Sequence, residues 1–262
     1  MSMIPPNCKK IPHQISFHGR TWEDPYFWLR ERENPEVFEY LNAENAYTEA
    51  VMKDTAPLQE KLYQEMLARI QETDLSVPVR RGDYFYYTRT EKGKQYSMHC
   101  RKKQNLEAVE EILLDLNVLA EGHGYFRLGV FRVSPDQKRL AYSTDTTGAE
   151  EYTLYVKDLP SGKLLTEKIE KTYVSVEWAA DNRTLFYSVL DSAKRPYRLY
   201  RHELGTDSSR DALVFEEKDD AYFLTFYKTK DRKYLILDLA SKISSECHFL
   251  KADSPQIGRA HV

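Results

Sequence analysis

The stretch VSPDQKRLAYSTD (residues 133–145) reads as a polar turn, Ser134-Pro135-Asp136, then Gln137 and the basic pair Lys138 and Arg139, then an apolar strand ending at Asp145. Similar stretches recur as WAADNRTLFYSVL (178–190) and FYKTKDRKYLILD (226–238), with a divergent copy around Asp83. The turn aspartates Asp83, Asp136, Asp181 and Asp231 stand 53, 45 and 50 residues apart. After each comes an apolar strand (YFYYTRT, LAYSTD, LFYSVL, YLILDLA), a short connection and a second strand of alternating character (QYSMHCRK, EYTLYVKDL, PYRLYRHEL, ECHFLKA). A period of about 40–50 residues with several strands per unit is the signature of β-propeller blades. A β-sandwich or an irregular run of hairpins is the alternative; the joint recurrence of both strands with their hairpin favours blades.

Working outward, turns at RRGD (80–83), EKGK (91–94), TTGAE (146–150), PSGK (160–163) and LGTD (204–207) bound short strands throughout the region beyond Pro78, which predicts antiparallel all-β structure. Before it the period is helical. Asn34 followed by Pro35 marks a helix start, and Val37, Tyr40, Leu41, Tyr47 and Val51 fall within one stripe at about 100° per residue. Asp54 to Pro57 interrupts that pattern, and Leu58, Leu62, Met66 and Ile70 resume it at a spacing of four. Two amphipathic helices are expected, each needing a surface to pack against.

The chain has 262 residues, enough for a substantial core. Its net charge of −3 with both signs interspersed argues against nucleic-acid or membrane-surface partners, which usually require a basic patch. The 19 tyrosines against 10 glycines favour strands. Cys8, Cys100 and Cys247 are odd in number and lack CxxC spacing, so they read as free thiols in a reducing compartment. The N-terminus has no signal-peptide core and no apolar run approaches a membrane span. A cytoplasmic location is expected.

The segment DPYFWLRERENPEVFEYLNAENAYTEAVM (24–52) resembles the N-terminal segment of the prolyl oligopeptidase family of serine peptidases, with its DPY-x-WL motif before a proline-started helix carrying EN-x-Y. SPDQKRLAYSTDTTGAEEYTLYVKDLPSGKLL (134–165) resembles the family's blade pattern, and SKISSE (241–246) points to the oligopeptidase B branch. The resemblance implies a seven-bladed propeller after a helical segment and before an α/β-hydrolase domain with a serine, aspartate and histidine triad. It further implies hydrolysis of short peptides after lysine or arginine, with the propeller keeping folded proteins out. Such chemistry is acyl transfer from a serine activated by histidine, with backbone amides holding the oxyanion.

A nucleophile elbow needs G-x-S-x-G, and no two of the ten glycines here stand four apart. The expected fold is therefore mainly β: a propeller of the seven-bladed type with about four blades present and incomplete, preceded by a helical segment and lacking the hydrolase domain. The expected division is residues 1–75 for the helical segment, 76–256 for the partial propeller and 257–262 (from the IGRAHV ending) for a tail outside the family. A truncated product of this kind should be poorly soluble, because an open arc leaves blade faces bare. The competing reading is a non-catalytic propeller that binds partners through its loops.

No catalytic, cofactor-binding or metal-ligating residue is assigned. His13, His18, His99, His123, His202, His248 and His261 lie near no serine elbow and show neither H-x-H nor H-x-x-x-H spacing, which argues against a metal site. Asp145 and Glu150 bracket a hairpin at Gly148; a carboxylate pair can do acid–base work, but an aspartate before a tight turn more often accepts backbone hydrogen bonds. Trp22, Tyr26, Phe27 and Trp28 form a dense aromatic cluster, a ligand platform or, by the resemblance, a surface that docks on the hydrolase domain and is left exposed here. Arg80, Arg81, Glu150 and Arg195 are candidates for salt bridges between domains at one propeller face. Short basic peptides, met through the full-length enzyme, are the expected partners.

Overall fold

A computed structural model describes residues 4–254. The chain divides after Gln71 into two compact units. The first opens with a hairpin of β1 (Gln14–Phe17) and β2 (Arg20–Glu23), joined by a two-residue turn in which His18 and Gly19 both have positive φ, the geometry that matches strand twist. A 3-10 turn at Phe27–Arg30 leads to α1 (Pro35–Met52), started as the sequence predicts: the Asn34 side chain accepts from the Glu36 N–H at 3.0 Å and Pro35 occupies the first turn. A second 3-10 turn, Lys53–Thr55, joins α1 to α2 (Ala56–Leu67). Of the expected apolar stripe only Val37 is buried on α1, and Leu58, Leu62, Met66 and Ile70 remain exposed.

The second unit is a succession of antiparallel blades. The first comprises β3 (Val79–Arg81), β4 (Tyr84–Arg89), β5 (Met98–Lys103) and β6 (Glu110–Asp115). Residues 72–76 already lie along it: Thr90 Oγ1 donates to the Glu72 carbonyl at 2.7 Å and Leu75 bridges Arg89. After the short helix α3 (Leu116–Leu119), β7 (Arg127–Val133), β8 (Arg139–Asp145) and β9 (Tyr152–Asp158) build the second blade. Its outer strand is the start of β10 (Leu164–Trp178), whose far end is the inner strand of the third blade, paired to β11 (Thr184–Leu190), β12 (Pro196–Glu203) and β13 (Ala212–Glu216). Thr172 is the crossing point, pairing with Tyr152 on one side and Val189 on the other, next to Lys171 at φ +57°. The register shifts around it let one strand bend between two sheets. The fourth blade has three strands among the described residues: β14 (Phe223–Lys228), β15 (Tyr234–Ala240) and β16 (Ser245–Lys251). The expected tail at 257–262 lies outside the described residues.

Blades are held by apolar cores between neighbours. Leu140 and Tyr142 of β8 pack with Leu113, Leu116 and Phe126, while Ala141 between them faces Leu154, Trp178 and Leu185. Likewise Leu185 and Phe186 of β11 enter different cores and neither is exposed. Strands β8 and β11 are thus buried on both faces and read as continuous apolar runs. β15 differs: Leu235, Leu237 and Leu239 are buried and alternate with half-exposed neighbours, because only one of its faces meets another blade.

The recurring turn performs two tasks. Its aspartate closes the hairpin: Asp181 Oδ1 accepts from the Arg183 and Thr184 N–H groups at 2.9 Å each, and Asp136 and Asp231 accept from the Lys138 and Lys233 N–H groups at 3.1 Å. The next residue, Gln137, Asn182 or Arg232, sits at φ near +61°. Its carbonyl can then receive the preceding blade: Arg101 donates to the Gln137 oxygen and Arg139 to the Asn182 oxygen, both at 2.8 Å. The first copy departs from the alignment on aspartates. There the left-handed residue is Gly82, with Asp83 after it, in a two-residue turn closed by Arg81 and Tyr84.

Gly129 in β7 lies so close to the next strands that a Cβ there would stand 2.5 Å from both Ser143 Oγ and Tyr152 Cδ1. Gly129→Ala should lower unfolding stability by about 1–3 kcal/mol, read as a lower urea midpoint with an unchanged slope. Asp181→Ala, which leaves two turn amides and the Thr184 hydroxyl without their acceptor, should cost about 1–3 kcal/mol in the same measurement.

Candidate functional site

The groups able to do chemistry are dispersed. His13 stacks on Phe27, His18 forms the first hairpin turn, His99 stacks on Phe131, and His123 is exposed after α3. His248 Nε2 meets Glu246 at 2.8 Å and the His248 ring stands against Phe215; His261 is outside the described residues. His202 makes the most enclosed array: Nδ1 meets Asp211 Oδ1 at 2.8 Å, and Tyr187 donates to Asp211 Oδ2 at 2.9 Å. Among the described residues the buried His202 Nε2 has no hydrogen-bond partner. A nucleophile–base pair requires a hydroxyl or thiol in hydrogen-bond reach, and among the described residues no serine, threonine or cysteine side chain is bonded to a histidine ring. No grouping of three His, Cys, Asp or Glu side chains there suits a metal ion.

Asp145 is buried and accepts four hydrogen bonds: Thr147 N–H at 2.8 Å, Thr147 Oγ1 at 2.9 Å, Gly148 N–H at 3.0 Å and Glu150 N–H at 2.9 Å. Burial alone would raise its pKa; these bonds overcome it and hold the carboxyl below the usual aspartate value. Glu150 points elsewhere, pairing with Arg127 at 3.2 Å. The two carboxylates do not form an acid–base couple: one organises the loop, the other is a surface ion pair. The aromatic cluster is split as well. Trp28 is buried with its indole donating to the Lys9 carbonyl at 2.9 Å, Phe27 carries His13 and Arg30, and Trp22 and Tyr26 are exposed.

The four charge candidates do not share a face. Arg80 and Arg81 are at the β3–β4 turn, beside the β7–β8 turn, as the 3.4 Å contact of Tyr86 with Gln137 shows. Glu150 and Arg195 lie at the opposite strand ends, in the β8–β9 and β11–β12 loops, which Lys194 and Glu151 join by an ion pair. Arg195 is consumed internally: it is buried, pairs with Asp191 at 2.9 Å and donates to the Asp219 and Tyr222 carbonyls at 2.8 and 3.0 Å. It fastens the third blade to the loop entering the fourth.

At the turn end, the first strands of all four blades converge on a cavity of about 360 Å³. Arg81, Arg132, Lys228, Lys230 and Arg232 line it, with Glu177 the single carboxylate among the described residues. Arg132 Nε meets Glu177 Oε1 at 2.9 Å across two blades, and the Trp178 indole donates to the Arg132 carbonyl at 2.8 Å. Sequence reasoning missed this site, although the repeat contained a signal. Val133, Trp178 and Lys228 are equivalent, pairing with Leu140, Leu185 and Leu235, so a lysine stands where the second and third blades are apolar.

Residues 6–260 match the family description "Prolyl oligopeptidase, N-terminal beta-propeller domain". The chain belongs to the prolyl oligopeptidase family. Within that family it is 40% identical over 257 residues to Protease 2 of Moraxella lacunata, a match that takes in 95% of this chain and 37% of the relative. It is also 40% identical to dipeptidyl aminopeptidase BI of Pseudoxanthomonas mexicana, over 98% of this chain and 38% of that one. The structure of oligopeptidase B from Leishmania major superposes with a TM-score of 0.87 at 32% identity, covering 96% of this chain and 38% of that structure. The prolyl oligopeptidase relatives are serine peptidases, and this chain, their propeller part, spans a little over a third of their length. Among the described residues no helix is long and apolar enough to cross a membrane.

A carboxyl whose folded pKa is depressed adds stability above its unfolded pKa of about 3.9 and loses it as pH falls through the folded value. With Asp145 and Asp181 both lowered, each by hydrogen bonds that outweigh burial, the urea midpoint should fall between about pH 5 and pH 3. Asp145→Asn should make that decline shallower.

Proposed function

We propose that this chain is the propeller portion of an oligopeptidase B-like serine endopeptidase that cleaves short peptides after lysine or arginine, with the propeller limiting access to an active site carried elsewhere in the enzyme. The observation that carries this reading is the match over 95–98% of the chain to peptidases of which it covers 37–38%. Two further points support it. The structural match extends to oligopeptidase B from Trypanosoma brucei with covalently bound antipain, at a TM-score of 0.85 and 32% identity. In this chain the histidine–carboxylate pairs have no nucleophile attached among the described residues. Catalysis then belongs to a serine, histidine and aspartate set outside these strands, and the blades contribute exclusion: a packed wall that admits an extended peptide and refuses a folded domain. The cytoplasm, where peptide fragments arise and thiols such as Cys100 stay reduced, is the proposed location.

With a short arginyl peptide as substrate, the isolated chain should show no turnover. Co-expression with the whole portion of the Moraxella relative that this chain does not cover should give cleavage of that peptide and leave a folded protein substrate intact. Hydrolysis by the isolated chain that disappears when one of its own serines is replaced would overturn the assignment.

A further inference from the structure

Each first strand ends at the turn side, and at that height the repeat places Val133, Trp178 and Lys228 in equivalent pairings. In the second and third blades the position packs apolar surface, whereas in the first blade Arg81 closes the turn with Tyr84. Lys228 instead brings an ammonium group into a half-buried setting, where loss of water lowers its pKa; Glu177 and Asp181 oppose that change and Arg232 reinforces it. Arg81, Lys228, Lys230 and Arg232 make no ion pair among the described residues, and Arg132 alone is neutralised, by Glu177. Five cations against one carboxylate line one concavity, and the half-buried Lys228 among them is an unpaired, partly desolvated charge that a fold does not need for its own stability.

We propose that this cavity is a binding site for a multiply charged phosphate-bearing small molecule. A single carboxylate would compensate only one of the four excess charges, whereas a pyrophosphate-type group offers several oxygens and up to four negative charges. Guanidinium groups from Arg81, Arg132 and Arg232 suit bidentate contacts to such oxygens, and the half-buried Lys228 supplies a point charge whose reduced hydration strengthens the attraction. The inference is independent of the peptidase reading, because it uses only side chains of these four blades.

Inorganic pyrophosphate, titrated at constant ionic strength into the full 262-residue chain and followed by calorimetry and thermal melting, tests it. Binding should appear as a saturable heat and a raised melting temperature. Lys228→Met gives the position the apolar character it has in the second and third blades; it should raise the melting temperature without ligand yet weaken pyrophosphate at least tenfold. Arg232→Gln installs the residue that the second blade carries at the equivalent left-handed position, Gln137 at φ +61°, so its fold is safeguarded and its affinity should drop several-fold. The proposal is overturned if the natural chain does not bind pyrophosphate, if Arg232→Gln binds it unchanged, or if a tetra-aspartate peptide binds as tightly as pyrophosphate does.

Discussion

A single blade of four strands cannot bury both of its own faces, and that constraint organises this molecule. The three largest apolar cores in the second unit are each shared by two neighbouring sheets, so Leu140, Leu185 and Leu235, which are fully buried and equivalent in the repeat, gain their burial in part from residues of the preceding blade. Stability in such an array is a sum of blade terms and seam terms. The polar contacts follow the same logic. The guanidinium groups of Arg101 and Arg139 reach forward to the turn carbonyl of the next blade, fixing the angle at which the apolar faces meet.

The parts of the fold legible in the sequence are those where local chemistry and burial agree. Strands β8 and β11 are apolar because both faces are covered, and the turn before each is marked by an aspartate whose carboxylate binds the following amides. The proline-started helix is legible for a similar reason, since Asn34 and Pro35 act within one turn. The outer and inner strands escaped notice because their character is mixed. Residues 166–171, TEKIEK, look like a charged linker, yet they are the middle of a 15-residue strand in which Glu167 and Ile169 point inward.

The candidate sites were harder to read, because a side chain's role depends on partners distant in sequence. Arg195 resembles a surface charge, but its guanidinium is occupied by Asp191 and by carbonyls of a loop more than 20 residues on. Asp83 fits the spacing of the other turn aspartates while its geometry differs, for Gly82 takes the left-handed position there and a Cβ on it would collide with Gln137. The cationic cavity is assembled from four blades, so no local window contains it; only comparison of Lys228 with Val133 and Trp178 reveals it.

The seams between blades are not mechanically alike. The second and third blades share β10 as one unbroken backbone, so sliding or hinging them apart would require breaking the ladders on both sides of Thr172. The first and second are joined through α3 and the segment after it, and the third and fourth through residues 217–222. The middle pair therefore behaves as a rigid plate, and any widening of the arc is directed to its two flanking seams. A wall built this way yields at chosen joints instead of everywhere, and the same backbone that stiffens it determines where it can open.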